Sequence, residues 1–501
     1  MKNSKKIISF CLVVLMLFSV TSVAFAKDEV EQTCPLIYVP GFSSSPVYTD
    51  VNDESTLVSF PGVEDILAAV TDTILPALAV YAVDRDADKL AHSASVRINE
   101  LFTSWFNEKT GETKKGSGII EEELTDVDKT SKLTFAYDWR SDPMLIADSL
   151  NDYIEKVCEL SGSDKVALGC HSLGSTVALA YLTKYGNDRI TGIVFDSPAC
   201  NGVKLIGNIF TGKVNVDGEG LAYFIKTYLG ENEYKALIEG LIDIVETAGC
   251  FELLTLLADD VIEALAPVIY KETIIPLVGC WLPLWAMLPD EDVESAKAYF
   301  FDELLKDEDY SILQSKIDNY TNTVRANRTK TLKSFDEVGN FAIISRYNNQ
   351  TIPLRGYSDF VGDLIIETHA TSLGATTAPL GDYFCDDYLE GKDMAYISPD
   401  RTVDASTCLF PEKTWFIKNT GHFETGGLTV DYYDMFLYAE KELTCDTAEL
   451  GRFSYLDRST YAIVEDTTTP EKIEKPAVLK FIADFIKELI QKLSMILKPA
   501  Q

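Results

Sequence analysis

The feature that most restricts how this chain can fold is the stretch 165–186, KVALGCHSLGSTVALAYLTKYG. Residues 166–170 form a short apolar run that predicts a buried parallel strand, and the residues after Gly174 carry apolar side chains at helical spacings up to Gly186. A strand that passes into a helix within so few residues needs a sharp turn with small residues on both sides of its tip. The stretch therefore predicts that Ser172 stands at the tip with its side chain pointing outward.

Ser172 has two interpretations. In the G-x-S-x-G nucleophile elbow, a serine at this tip attacks a carbonyl carbon. Here Cys170 stands where the first glycine is usual, so the match is one position short, although a thiol is also small. The alternative is a serine in an ordinary strand-to-helix loop with no chemical role. We favour the nucleophile, and the rest of the chain decides between the two.

The first 26 residues have the order of a secretory signal peptide. Lysines are followed by an apolar run over residues 7–20 and then by Ala-Phe-Ala at residues 24–26. We therefore expect a secreted, extracellular protein whose mature chain begins near Lys27. Export permits disulfides, but the pairing of the cysteines cannot be read from their spacing.

Composition excludes several classes of partner. The formal net charge is −34 at pH 7, which argues against binding nucleic acid or anionic lipid through a general basic surface. The chain has four histidines and no C-x-x-C spacing, so a structural zinc site is not expected. We predict neither a metal nor a cofactor.

Four apolar runs alternate with helical patterns in the first part of the chain and predict an α/β fold with a doubly wound, mostly parallel sheet. These runs are residues 36–39, 133–137, 166–170 and 190–196. Ligands of such sheets bind at the carboxyl ends of the strands, where we expect Phe42, Arg140, Ser172 and Asp196 to gather.

The alternation stops after residue 202. Residues 203–335 are apolar and helix-like and predict a cap inserted over the site, and strand patterns return at residues 340–347 and 413–418. Residues 477–498 predict an amphipathic helix that packs on the domain or on a partner, which we favour, or that lies on a membrane or envelope surface. The predicted segments are a signal peptide (1–26), two halves of the core (27–202 and 336–460), the cap (203–335), and a linker with the C-terminal helix (461–501).

Two residues near the second group of strands are candidates for the partners of Ser172. Asp400 lies between the two strands and His422 directly follows the second, which is the order serine, acid, histidine of a known class of hydrolases. His422 would take the proton of Ser172, and Asp400 would hold the other imidazole nitrogen. Asp404 and Asp196 remain alternatives for the acid.

The loop after the first strand reads Pro-Gly-Phe. A loop at this place supplies one backbone N–H of an oxyanion hole, and the residue after the nucleophile supplies the other. We assign these donors to Phe42 and Leu173. The alternative is a Pro-Gly turn without a chemical role.

Four motifs together resemble the lecithin:cholesterol acyltransferase-like branch of the α/β-hydrolases. They are VPGF at 39–42, YDWR at 137–140, CHSLG at 170–174 and PDRTVDAS at 399–406, ahead of His422. The resemblance implies an α/β-hydrolase fold with, in this order, an oxyanion loop, a structural loop, a nucleophile, a catalytic acid and a base. It also implies chemistry on acyl esters.

The predicted function is that of a secreted serine esterase or lipase acting on acyl-ester or lipid substrates. An acyltransferase or phospholipase would use the same site with another acceptor or substrate. The alternative from another class is a catalytically silent envelope or binding protein that keeps the fold. The sequence predicts no particular oligomeric state.

Overall fold

The structure is a computed structural model that describes residues 31–214, 263–352, 361–418, 420–422, 430–440, 443–448, 450–457 and 462–470. The predicted signal peptide and the predicted C-terminal helix lie outside the described residues, as does the middle of the predicted cap. These three predictions therefore stay predictions.

An eight-stranded sheet forms the centre of the protein. Its strands are β1 (Leu36–Val39), β2 (Lys132–Thr134), β3 (Val166–His171), β4 (Ile190–Asp196), β5 (Asn340–Tyr347), β10 (Thr414–Lys418), β11 (Phe453–Asp457) and β12 (Ala462–Glu465). The order is β12-β11-β10-β5-β4-β3-β1-β2, and all neighbours are parallel except β11 and β12. Two small antiparallel pairs lie outside this sheet: β6 (Asn349–Gln350) with β7 (Val361–Gly362), and β8 (Thr376–Thr377) with β9 (Val403–Asp404).

Helices connect the strands. Those before β5 are α1 (Val63–Ala69), α2 (Leu75–Asp84), α3 (Ala87–Leu101), α4 (Pro143–Ser161), α5 (Leu173–Tyr185), α6 (Lys204–Phe210), α7 (Leu282–Ala286), α8 (Val293–Lys297), α9 (Ser311–Thr323) and α10 (Arg328–Asp336). Three π-helical segments, Val70–Ile74, Tyr270–Gly279 and Ala298–Leu304, lie among them. Later in the chain come α11 (Thr368–Thr371), α12 (Asp386–Leu389) and α13 (Val430–Leu437). None of the described helices is both long enough and apolar enough to cross a bilayer.

The sheet has an apolar core on each face. Successive side chains of a strand point to opposite faces, so an uninterrupted apolar strand supplies both. In β1, Ile37 belongs to the core covered by α4 and α5, and Leu36 belongs to the core covered by α13. Burial on both faces explains why the strand patterns of the sequence are apolar runs rather than alternations.

The described residues between β4 and β5 are helical or in turns, with no strand in 203–214 or 263–335. They have an apolar core of their own, in which Phe210 packs on Trp285 and Phe300 at centroid distances of 5.0 Å each. Trp281, by contrast, belongs to the main core. That this segment acts as a cap stays a prediction.

The sheet extends further than the sequence analysis predicted. The predicted boundary at residue 460 falls between β11 and β12, and β12 pairs with β11 through Tyr455 and Val464 among other residues. β12 is the edge strand and β11 is its neighbour; both are short and include polar residues, so neither shows an apolar run as long as those of the central strands. The strand predicted at 413–418 is thus followed by two further strands and lies third from this edge of the sheet.

Candidate active site

Ser172 lies at a sharp turn between β3 and α5. Its φ of 51° and ψ of −120° are unusual for a residue with a side chain, and such a conformation costs about 1–3 kcal/mol. The Ser172 N–H donates to the Asp196 carbonyl at 3.0 Å, and the Ser172 carbonyl accepts from the Ser175 hydroxyl at 2.7 Å. The strained turn is therefore held from both sides, in the geometry predicted from the small residues around it.

Close packing explains those small residues. A Cβ atom added at Gly174 would lie 2.1 Å from the carbonyl oxygen of Val39, so only glycine lets α5 start this close to the end of β1. Cys170 is fully buried in β3, where its side chain is part of the core. A thiol thus fits the position at which the elbow motif usually has glycine.

His422 joins Ser172 to a carboxylate. Its Nε2 lies 3.0 Å from the Ser172 Oγ, and its Nδ1 lies 2.7 Å from Oδ2 of Asp363. The His422 N–H also donates to the Asp363 carbonyl at 2.6 Å. The three residues are 6%, 3% and 0% exposed, so the hydrogen-bonded chain lies in a low-dielectric environment that strengthens it.

Asp363 is held in a tight turn. Its Oδ1 accepts the N–H groups of Ile365 at 3.0 Å and Ile366 at 2.8 Å, and Leu364 has a φ of 92°. Burial by itself raises the pKa of Asp363, but the charge and hydrogen bond of His422 together with the backbone donors outweigh it and lower the pKa to about 2. The carboxylate is therefore ionised at neutral pH and can balance a positive imidazolium.

Asp400 does not contact His422, which corrects the sequence-based assignment of the acid. Its carboxylate is 2.6 Å from the Lys418 Nζ, and it accepts from the hydroxyls of Ser398 at 2.6 Å and Thr402 at 2.8 Å. Burial raises the pKa of Asp400, but these donors outweigh burial and lower it. Asp400 therefore joins its own loop to the end of β10 through the ion pair with Lys418.

The two alternative acids are also engaged elsewhere. Asp404 is bonded to Lys392 at 2.8 Å. Asp196, at the end of β4, forms a fully buried ion pair of 2.7 Å with Arg346 and accepts from the Tyr433 hydroxyl at 2.7 Å. Neither carboxylate is bonded to His422. Asp363 therefore replaces Asp400, Asp404 and Asp196 as the candidate acid.

The predicted oxyanion donors lie next to the nucleophile. A Cβ atom added at Gly41 would be 3.0 Å from both the Ser172 Cβ and the His171 Nδ1, so the Gly41–Phe42 peptide lies against the elbow. Leu173 is the first residue of α5, where an N–H has no carbonyl one turn back. Within the described part of the chain, neither Phe42 nor Leu173 donates its backbone N–H to another backbone group. Their role as oxyanion donors stays a prediction.

His171 is not a second base candidate. Its Nε2 donates to the His422 carbonyl at 3.2 Å beneath the site. Burial, followed by the neighbouring His422 and Arg346, lowers the pKa of His171 well below its usual value. The ring is therefore neutral at physiological pH and acts as a support for His422.

Comparisons with known proteins agree with this architecture. A family model described as alpha/beta hydrolase fold matches residues 122–208, which include β3, the elbow and α5. The chain has an α/β-hydrolase fold. The match covers less than half of the chain, so the narrower resemblance to lecithin:cholesterol acyltransferase-like proteins stays a prediction. No curated protein sequence matches the chain.

Two of the solved structures that match part of the chain have low TM-scores, so no further inference rests on them. One is the crystal structure of the Tle4–Tli4 complex, with 13% sequence identity over 62% of this chain and 75% of that chain and a TM-score of 0.25. The other is a mutant of the meta-cleavage product hydrolase CumD, with 14% identity over 63% of this chain and 74% of that chain and a TM-score of 0.17.

Asp363 was missed because the long connection between β5 and β10 contains several carboxylates. The β6–β7 pair and the hydrogen bond from the Thr368 hydroxyl to the Arg346 carbonyl, at 2.8 Å, fold residues 361–371 back onto β5. Gly362 permits this, because a Cβ atom there would lie 2.1 Å from the Ile366 carbonyl oxygen. The available signal was a Gly-Asp turn followed by apolar residues, closer along the chain to the end of β5 than Asp400.

Proposed function

We propose that this protein is a serine hydrolase that cleaves acyl esters, as an esterase or lipase does. The observation that carries the proposal is the hydrogen-bonded chain from the Ser172 Oγ through the His422 ring to the Asp363 carboxylate, at 3.0 and 2.7 Å. A buried serine needs no such partners for structural reasons. Their presence at a strained elbow is typical of an activated nucleophile.

The proposed reaction has two halves. The Ser172 Oγ forms a bond to the ester carbonyl carbon while its proton passes to the His422 Nε2. The N–H groups of Phe42 and Leu173 stabilise the resulting oxyanion. His422 then returns the proton to the leaving alcohol, the ester C–O bond breaks, and the acyl group remains on Ser172.

Water completes the cycle. It gives a proton to the His422 Nε2 as its oxygen attacks the acyl-enzyme, and the carboxylic acid leaves when Ser172 regains its proton. An alcohol in place of water would make the same site an acyltransferase. Asp363 stays ionised throughout and fixes the tautomer in which the His422 Nε2 is free to accept a proton.

A lipid-like acyl chain is the proposed substrate class. The support is the apolar composition of the segment between β4 and β5 and the aromatic surroundings of the oxyanion loop, where the Phe42 ring lies 4.7 Å from that of Trp139. The competing proposal of a silent binding protein finds less support, because the hydrogen-bonded triad is complete.

The test is hydrolysis of p-nitrophenyl esters of increasing chain length, together with labelling of the enzyme by a fluorophosphonate. Wild-type protein should turn over the esters and gain one label on Ser172. Ser172→Ala should lose both properties, and His422→Ala should lose turnover. Ser149→Ala, an exposed change on α4, is the matched control and should behave as wild type. Absence of both turnover and labelling in wild type would refute the proposal.

Water and alcohol acceptors are separated by repeating the assay with added alcohols and detecting the new ester. Hydrolysis alone supports an esterase or lipase. An alcohol ester formed at the expense of free acid supports an acyltransferase, and cleavage of a phospholipid acyl ester supports a phospholipase.

We also propose that the protein is exported and that its C-terminal segment contacts the cell surface. The support is the order of charges and apolar residues in 1–26 and the apolar face predicted for 477–498. The test compares the envelope and medium fractions of the full chain with those of a chain ending after Thr469. An unchanged distribution would refute the contact, and retention of both in the cytoplasm would refute export.

A further inference from the structure

Three tryptophans surround the side chain of Phe42. The centroid of its ring lies 4.7 Å from that of Trp139, 5.8 Å from that of Trp281 and 6.1 Å from that of Trp105. Each tryptophan comes from a different part of the chain: Trp105 follows α3, Trp139 follows β2, and Trp281 precedes α7 in the segment between β4 and β5. We call these four residues the aromatic clamp.

The tryptophans of the clamp hold one another in place. The ring centroids lie 5.7 Å apart for Trp105 and Trp281, 5.2 Å for Trp105 and Trp139, and 5.5 Å for Trp139 and Trp281. Each indole N–H donates to a backbone carbonyl: Trp105 to Ser59 at 3.0 Å, Trp139 to Ser45 at 3.2 Å, and Trp281 to Trp105 at 3.1 Å. The clamp is therefore a rigid, satisfied unit, since buried indoles keep both their packing and their hydrogen bonds.

The clamp holds the end of the Pro-Gly-Phe loop at residues 40–42, which supplies an oxyanion donor in the proposed reaction. Phe42 carries one oxyanion N–H, and the preceding Gly41 lies against Ser172. On the other side, the Tyr137 hydroxyl donates to the Pro40 carbonyl at 2.6 Å and fixes the start of the loop. A displacement of about 1 Å in a catalytic group can cost about a hundredfold in rate, so the Phe42 ring has to be held.

We propose that Trp281 is a positioning residue for the oxyanion hole. By packing on the Phe42 ring, it holds the Phe42 N–H in place from the segment between β4 and β5, so that this segment takes part in setting the turnover rate. The inference rests on the proposed function and extends it to a residue that does not touch the reacting atoms.

Trp285 provides a matched control four residues further along the chain. It is 2% exposed and Trp281 is 1% exposed, and its indole N–H also donates to a backbone carbonyl, that of Gly279 at 2.8 Å. Its ring packs on Phe301 at 5.4 Å and on Phe300 at 5.3 Å, within the separate core of that segment. Replacing either tryptophan by leucine removes a buried indole, but only Trp281→Leu removes a ring that packs on Phe42.

The experiment compares Trp281→Leu and Trp285→Leu in hydrolysis of p-nitrophenyl butyrate and in the rate of fluorophosphonate labelling. Both variants are first shown by urea unfolding to be folded at the assay temperature. We expect Trp281→Leu to lower kcat by about tenfold or more, with KM within about threefold of wild type. We expect Trp285→Leu to change neither by more than about threefold, and Trp281→Phe to recover most of the lost kcat.

A double-mutant cycle with Phe42→Leu tests whether Trp281 acts through Phe42. In that background, Trp281→Leu should lower kcat by less than about threefold, because the contact is already lost. Equal kcat losses in the two tryptophan variants, full additivity in the cycle, or a loss confined to KM would overturn the inference.

Two further outcomes need their own comparison: a Trp281→Leu variant that does not fold, and a wild-type protein without activity. If Trp281→Leu does not fold, Phe42→Leu is compared with Phe102→Leu, which packs on Trp105 at 5.4 Å, and only the Phe42 change should lower kcat. If wild type neither hydrolyses esters nor takes the label, the proposed function fails and this inference fails with it. Wild-type activity with an unaffected Trp281→Leu variant overturns this inference alone.

Discussion

Replacing Glu367 by glutamine should change how the stability of the protein depends on pH. Glu367 is buried at the start of α11, directly after the turn that holds Asp363, and its carboxylate accepts the N–H of Lys204 at 3.1 and 3.3 Å. Burial is the main cause that raises its pKa from 4.5 to about 7, and the charge of Asp363 raises it further, while the N–H and the ammonium group of Lys204 oppose the rise. Lys204 is itself bonded to Asp292 at 2.8 Å.

The sign and size of the effect follow from this pKa. The folded protein holds a proton on Glu367 that the unfolded chain releases between about pH 4.5 and about pH 7, so this group contributes stability at low pH that is lost as the pH rises through that range. At about 1.4 kcal/mol for each tenfold change in the ionisation equilibrium, the loss is on the order of 3 kcal/mol. Glu367→Gln keeps the shape and the acceptor but cannot ionise.

The assay is urea unfolding of wild type and Glu367→Gln at several values between about pH 5 and about pH 8. We expect the unfolding free energy of wild type to fall by about 2–3 kcal/mol more than that of the variant as the pH rises across this range. Glu159→Gln, an exposed change on α4, controls for the loss of one negative charge. A difference between Glu367→Gln and wild type that stays constant with pH would refute the reasoning.

Three further predictions test the acid, the buried ion pair and the elbow. Asp363→Asn should lower kcat for p-nitrophenyl esters about a thousandfold or more, whereas Asp400→Asn should stay within about threefold of wild type; equal losses would contradict the assignment of the acid. Arg346→Met leaves a buried carboxylate without its cation and should cost about 3–5 kcal/mol in urea unfolding, and a cost below about 1 kcal/mol would contradict a tight pair. Gly174→Ala places a Cβ atom 2.1 Å from the Val39 carbonyl oxygen and should cost about 3 kcal/mol in thermal unfolding; a neutral result would mean that the elbow can relax.

The central strands could be predicted from the sequence, and the β11–β12 side of the sheet could not. The predicted limits of β4 and β5, Ile190–Asp196 and Asn340–Tyr347, are confirmed, because strands buried on both faces read as apolar runs that end at turn residues. Ala462–Glu465 is the edge strand and Phe453–Asp457 is its neighbour, and both include polar residues. Neither was predicted as a strand: Phe453–Asp457 fell within the predicted core half, and Ala462–Glu465 fell within the segment predicted as a linker.

The sequence by itself determined the local parts of the candidate site. An apolar run precedes Ser172, a helical pattern follows it, and small residues flank it. This local pattern predicts the strained turn at Ser172, because steric contacts within a few residues determine the backbone conformation there. The place of His422, directly after a buried strand, follows equally from local pattern. Their catalytic roles stay predictions until the variants are measured.

Only the tertiary structure decided which carboxylate meets His422. Asp363 and Asp400 lie on the same connection between β5 and β10, and both are buried and hydrogen-bonded. The choice between them depends on the path of that connection: the turn at Gly362 brings Asp363 to the imidazole, and Lys418 binds Asp400. Such a path is set by contacts between residues far apart in the chain, so the Gly-Asp turn could mark Asp363 as a candidate but could not decide between it and Asp400.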